Sequence, residues 1–224
     1  MNSNRTPAAA DLPPESNIRG RAVHALRCFA LVLPLALTSC VSTPDEKPPC
    51  CRELKAGVTI PDRSLYQLES TWTSDVGREI KLGVLQGRPQ VVAMVFTSCE
   101  FACPIIVNDM KRIAAALPAD LRGKVNFTLI SFDHERDTPA KLHAFRQRMI
   151  LPVANWTLLR GGPDDVRELA ALVGVNYRQD ARGQYAHSNI ITLLNSAGEV
   201  DFQQSGLNID PSQMVERISA LAGK

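Results

Sequence analysis

Between Gln90 and Thr97 the chain runs Gln-Val-Val-Ala-Met-Val-Phe-Thr, almost without a polar interruption. A run this short and this apolar predicts a strand covered on both faces. The period then changes. Ile105, Ile106, Met110, Ile113, Ala114 and Leu117 recur every three or four positions, which predicts an amphipathic helix. Pro104 suits the first turn of that helix, where a missing N–H costs nothing, and Leu117-Pro-Ala-Asp ends it. The alternation repeats downstream. Val125 to Phe132 predicts a strand, and Asp137-Thr-Pro139 opens a helix carrying Leu142, Phe145 and Met149. Trp156 to Leu159 predicts the next strand, and Gly162-Pro-Asp-Asp the next helix, with Val166, Leu169 and Leu172 on its apolar face. Asn189 to Leu194 and Glu199 to Gln203 then form a hairpin about Asn195-Ser-Ala-Gly198. A last helix follows Ile209-Asp-Pro-Ser, with Met214, Ile218 and Leu221. Upstream, Tyr66 to Leu68 and Glu79 to Leu82 read as short strands about the turn at Asp75-Val76-Gly77.

Strands alternating with helices, closed by a hairpin and a helix, predict an α/β fold with a central mixed sheet flanked by helices. The order is thioredoxin-like, with an inserted strand–helix pair and an N-terminal β-hairpin extension. Three segments are expected: a lipoprotein signal peptide over 1–39, an acylated tether over 40–59, and the folded domain over 60–224.

The leader carries Arg19, Arg21, His24 and Arg27, followed by an apolar run over 28–37. That order predicts a secretory signal. The run is too short to span a bilayer, which takes about 20 apolar residues. Leu37-Thr-Ser-Cys40 resembles a bacterial lipobox, so Cys40 is expected to be lipidated and to become the mature N-terminus. The acyl chains would hold a periplasm-facing lipoprotein of the cell envelope on a membrane. Val41, in place of an aspartate, favours the outer membrane over the inner. The tether holds Pro44, Pro48 and Pro49 and no apolar period. Within it, Cys50 and Cys51 are adjacent. Ordinary disulfide geometry wants Cα atoms about 5.5–6 Å apart, so the pair is not expected to bond to itself. It reads either as auxiliary thiols for metal or redox work or as a local peculiarity.

Charge excludes one class of partner. The leader's four arginines stand against Asp11 and Glu15, and the rest of the chain holds 21 basic and 21 acidic residues. A neutral domain has no electrostatic footprint for nucleic acid. A monomer is expected.

The chemistry concentrates where the central strand meets its helix. Cys99 and Cys103 stand at that turn, in Cys-Glu-Phe-Ala-Cys-Pro. A helix N-terminus favours the thiolate, the form that attacks disulfides and binds metal. A structural disulfide of an exported protein is the plainer alternative. Three residues separate the cysteines, where thioredoxins have two. Such a loop can close a disulfide, and it also lets two sulfurs converge on a metal. Soft thiolates suit Cu(I), and an added imidazole suits both copper oxidation states and zinc. Of the four histidines, His24 lies in the leader, His143 reads as a helix-surface residue, and His134 follows Asp133 after a strand. His187, in Tyr-Ala-His-Ser-Asn-Ile, occupies the loop where a thioredoxin carries the proline that faces its cysteines. It is therefore expected to face the thiols.

Three blocks now stand in order: Phe-Thr-Ser-Cys-Glu-Phe-Ala-Cys-Pro, Ile-Ser-Phe-Asp-His-Glu-Arg-Asp-Thr-Pro and His-Ser-Asn-Ile-Ile-Thr-Leu-Leu-Asn-Ser-Ala-Gly. Together they resemble the signature of the SCO/SenC family of copper chaperones, over roughly residues 60–222. The resemblance implies that Cys99, Cys103 and His187 are ligands for copper, as Cu(I) and Cu(II). It also implies that Asp133 lies near the site, to tune the metal or contact a partner. Asp133 read on its own is equally a loop carboxylate capping the next helix. The chain departs from the family pattern at His134, where many members have proline, and at Glu100-Phe-Ala102, which lacks their Pro-Asp. The implied function is a metallochaperone serving a cuproenzyme client or its assembly factors, typically the dinuclear copper site of cytochrome c oxidase. The alternative is a thiol–disulfide oxidoreductase acting on client cysteines. A peroxidase would need a Thr–Cys–Arg arrangement, which Thr97-Ser-Cys99 matches only in part.

Overall fold

A computed structural model describes residues 61–222; the expected signal peptide over 1–39, Cys40 and the expected tether with Cys50 and Cys51 lie outside these described residues. The strands are β1 (Trp72–Ser74), β2 (Glu79–Ile80), β3 (Gln90–Val95), β4 (Asn126–Ser131), β5 (Trp156–Arg160), β6 (Tyr177–Gln179), β7 (Tyr185–His187), β8 (Ile190–Leu194) and β9 (Val200–Ser205). The helices are α1 (Ala102–Ala116), α2 (Pro139–Met149), α3 (Pro163–Leu172) and α4 (Ser212–Ala222).

Seven strands form one sheet in the order β2-β1-β5-β4-β3-β8-β9, and β6 with β7 forms a separate ribbon. β3, β4 and β5 are parallel, in register Val91↔Phe127 and Leu129↔Leu158, and the outer pairings are antiparallel. The mixed sheet is the one the alternation predicts. Every residue of β3 is buried, as its unbroken apolar run requires. The parallel crossovers put α1 and α2 against the sheet, with α1 packed on α4 and α2 on β5 and β1. Large side chains such as Phe127, Trp72 and Met110 are fully enclosed, each worth about 1.5–3 kcal/mol against exposure. A Cβ on Gly161, the residue after β5, would lie 2.7 Å from the Trp72 ring, so only glycine lets the chain pass there.

The N-terminal hairpin is present, but its first strand is Trp72–Ser74, not Tyr66–Leu68. The segment Leu65–Gln67 is a 3₁₀ turn, because the Ser64 hydroxyl caps it at the Tyr66 amide and Leu65 and Tyr66 turn into the core. Leu82 likewise leaves β2 for a second 3₁₀ turn, Leu82–Leu85. The hairpin is pinned to α2 by a buried ion pair: Arg146 Nε and Nη2 lie 2.5 and 3.0 Å from the two Asp75 carboxylate oxygens. In α3, Val166 and Leu169 are buried as expected, but Leu172 is half exposed, and Val173 just after the helix takes the core position instead. The β6–β7 ribbon is a feature the sequence pattern did not reveal, since its short strands carry no clean alternation.

Candidate metal centre

The site grows from the end of β3. Cys99 follows that strand by four residues, in a turn closed by its amide on the Phe96 carbonyl at 3.3 Å. α1 then starts at Ala102, so Cys103 falls in its first turn with its side chain in the core. Both cysteines are free thiols, Cys103 buried and Cys99 partly exposed. The Cys103 amide donates to Cys99 Sγ at 3.3 Å, an orphan N–H of the helix start aimed at sulfur.

This arrangement splits the two thiols. Cys99 is lowered to about 5, chiefly by the hydrogen bond from the Cys103 thiol. Burial opposes this as the next largest influence, and the Cys103 and Phe101 amides add smaller lowering contributions. Cys103 is pushed far up by the same shared hydrogen bond and by its own burial, with the Asp137 charge adding to it. The pair therefore holds one proton, mostly on Cys103.

The third group arrives from a distant part of the chain. His187 is not in a loop but ends β7, paired across the ribbon with Tyr177. Its Nδ1 lies 3.1 Å from the Ser188 carbonyl, which can only accept, so Nδ1 carries the proton. In the neutral ring the lone pair then falls on Nε2, which sits 3.7 Å from Cys103 Sγ. The ring is held among aromatics: edge-on to Phe96 at 6.0 Å and tilted on Phe132 at 5.1 Å, with Tyr185 packed against both phenylalanines. An apolar surround fixes the imidazole and keeps water from its buried side.

Cys99 Sγ, Cys103 Sγ and the His187 imidazole all lie within 4.8 Å of one another. Two soft sulfurs and one imidazole, gathered around one point and half screened from solvent, fit a copper ion in either oxidation state. With a thiolate already formed at Cys99, the cysteine pair has only the Cys103 proton to be displaced.

The remaining predicted residues fall elsewhere. The Asp133 carboxylate is buried and taken up by Arg136, through its amide at 3.2 Å and its Nε at 2.5 Å. It follows Phe132, which packs on His187, and its partner Arg136 lies over the Tyr185 ring at 5.5 Å. His134 offers its carbonyl to Arg160 at 2.7 Å. His143 is on α2, 3.7 Å from Asp75. Cys40, Cys50 and Cys51 are outside the described residues.

One residue escaped sequence reasoning. Asp137 reads as part of a helix start, yet Thr138 is the N-cap and the Asp137 carboxylate instead accepts from Thr97, two residues before Cys99. A carboxylate beside a residue that already caps the helix was the available signal, but only the fold shows where it points.

The sequence model of the SCO1/SenC family matches residues 62–223. A protein of Stutzerimonas stutzeri named for copper binding is 27% identical over 143 residues, covering 62% of this chain and 68% of its own. Among solved structures, a SCO1/SenC family lipoprotein from Bacillus anthracis superposes with a TM-score of 0.63 at 25% identity, over 69% of this chain and 94% of that one. ScoI of Bradyrhizobium japonicum with copper bound superposes with a TM-score of 0.58 at 21% identity, over 68% and 96%. The latter likeness is one of fold.

Proposed function

The chain belongs to the SCO1/SenC family, and from that premise we propose that it is a copper-binding metallochaperone that holds copper with Cys99, Cys103 and His187. The observation that carries the reading is the convergence of two cysteine sulfurs and an imidazole nitrogen within 4.8 Å, from segments 84 residues apart. Copper here is cargo. Cys103 is enclosed and Cys99 is partly open to solvent, so an incoming client ligand replaces Cys99 first and the buried donors release last. The client is a cuproenzyme, with the dinuclear copper site of cytochrome c oxidase the expected receiver, reached directly or through assembly factors. The test is titration of the reduced protein with Cu(I) and Cu(II), followed by EPR. Wild type should bind one equivalent, and His187→Ala should lose the Cu(II) signal. Equal binding by wild type and His187→Ala would sink the reading.

One observation favours a second activity. Cys99 is a partly exposed thiolate beside a buried, protonated partner, which is how an attacking and a resolving thiol are divided. A thiol–disulfide oxidoreductase that reduces client cysteines needs Cys99 and Cys103 but not His187. Reductase activity that survives His187→Ala and disappears in Cys99→Ser would establish it.

The envelope address completes the proposal. The basic leader, its short apolar run and Leu37-Thr-Ser-Cys40 support a periplasm-facing lipoprotein acylated at Cys40. An intact mass with a free, unacylated N-terminus would reject it.

A further inference from the structure

Thr97 is held at every polar atom it has. Its amide donates to Asp137 Oδ2 at 2.9 Å and its hydroxyl to Asp137 Oδ1 at 2.5 Å. Its carbonyl accepts from Arg148 Nη2 at 2.7 Å. Both holding groups belong to the α2 segment, Asp137 just before the helix and Arg148 in its last turn. Asp137 is 1% exposed and takes one more donor, the Ser131 hydroxyl at 2.6 Å. Its own amide is fixed on the Asp133 carbonyl at 3.0 Å. It forms no ion pair among the described residues.

A buried carboxylate with no cation beside it survives only if hydrogen-bond donors surround it. Here those donors are two groups of Thr97 and one of Ser131. α2 does not need Asp137 as a cap, because the Thr138 hydroxyl accepts the Lys141 amide. The carboxylate is therefore free to tie the exit of β3 to the exit of β4. The next residues of the chain, Ser98 and Cys99, make the turn that sets Cys99 Sγ against the Cys103 amide and within reach of His187.

We infer that Asp137 is a positioning residue: by clamping Thr97 it fixes the turn that aims Cys99 into the three-donor cluster. The inference rests on the copper reading for its main readout, and on thiol chemistry for an independent one. It distinguishes the two hydroxyl contacts of Asp137. Thr97 leads directly into the Cys99 turn, whereas Ser131 ends β4 and touches no donor.

The test compares Asp137→Ala, Asp137→Asn, Thr97→Val and Ser131→Ala in the full reduced chain. Three quantities are measured: the Cu(II) EPR signature with copper affinity by chelator competition, the alkylation rate of Cys99 in metal-free protein, and the melting temperature. Asp137→Ala and Thr97→Val are expected to alter the EPR signature and weaken copper by about tenfold or more, the usual effect of losing a group that orients a ligand. Both should also change the Cys99 alkylation rate several-fold. Asp137→Asn, whose amide keeps contacts to the Thr97 amide and hydroxyl, should restore the wild-type signature. Ser131→Ala should lower the melting temperature and leave the other readouts in place. A wild-type signature and alkylation rate in Asp137→Ala and Thr97→Val, with only the melting temperature lowered, would overturn the inference. So would an Asp137→Asn protein that behaves like Asp137→Ala, since charge and not the hold on Thr97 would then be at work. If Asp137→Ala does not fold, Thr97→Val decides. If wild type holds no copper, the chaperone reading fails and the alkylation rates still decide this one.

Discussion

His187 Nε2 and Cys103 Sγ lie 3.7 Å apart across 84 residues of chain. The other ring nitrogen is committed to the Ser188 carbonyl at 3.1 Å, so in the neutral ring Nε2 is the one that offers a lone pair to a metal. The ligand set is thus arranged before any ion arrives, and binding spends little on reorganisation.

The division of protons between the donors leads to a count. Cys99 is already a thiolate at pH 7, whereas Cys103 keeps its proton. Copper binding at pH 7 should therefore release about one proton per ion. Titration in weak buffer with a pH indicator measures it. Release of two protons would mean that Cys99 is a thiol in the metal-free protein.

The same division sets a pH profile. With Cys99 lowered to about 5 from an ordinary thiol value of 9.0, alkylation of the reduced, metal-free protein should rise through about pH 5 and be flat by pH 7. The sign for stability follows. A depressed acid stabilises the fold fully above its unfolded value, and this contribution shrinks as pH falls from 9 and is gone below about 5. The reduced protein should thus lose this increment on acidification, and Cys99→Ser should remove the dependence. An alkylation rate still climbing between pH 7 and 9 would contradict the assignment.

The hairpin anchor gives a prediction of stability alone. Arg146 bonds both oxygens of Asp75, and also the carbonyls of Pro152 and Trp156 at 2.9 Å each. Arg146→Ala strips the buried Asp75 of its guanidinium and leaves only the half-exposed His143, 3.7 Å away, a loss of about 3–5 kcal/mol. Denaturant unfolding should show it, and the copper signature of the protein that remains folded should be unchanged. A loss below 1 kcal/mol would mean that water or a rotamer change compensates the carboxylate.

Ile150 gives a prediction of the opposite sign. It ends α2 with φ +53°, a left-handed conformation that a β-branched residue adopts at a cost, and its side chain is 81% exposed. Ile150→Gly should relieve about 1–2 kcal/mol of strain and give back part of it in chain entropy, for a net gain of about 0.5–1 kcal/mol. The melting temperature should rise by about 1–4 °C for a domain of this size. No rise would show that the Ile150 side chain makes up for its backbone.

Strands and helices with strong periods follow from the amino-acid sequence alone. β3 was legible because a strand buried on both faces must be apolar throughout, and α1 because one buried face repeats at helical spacing. The place of Cys99 and Cys103 about a helix start follows too, since it depends on local chain order alone. Tertiary structure decided the rest. Tyr66 looked like strand because its side chain is apolar, but the Ser64 cap bends that segment into a 3₁₀ turn. His187 could be placed near the thiols only by likeness, because the ribbon that carries it has strands of three residues and no readable alternation. Asp137 is not legible as a partner of Thr97, 40 residues away, because a contact between the exit of β3 and the start of α2 exists only once helix and sheet are packed. Local pattern records what each segment buries. Which donors meet at one point is settled only when segments far apart in the chain are packed together.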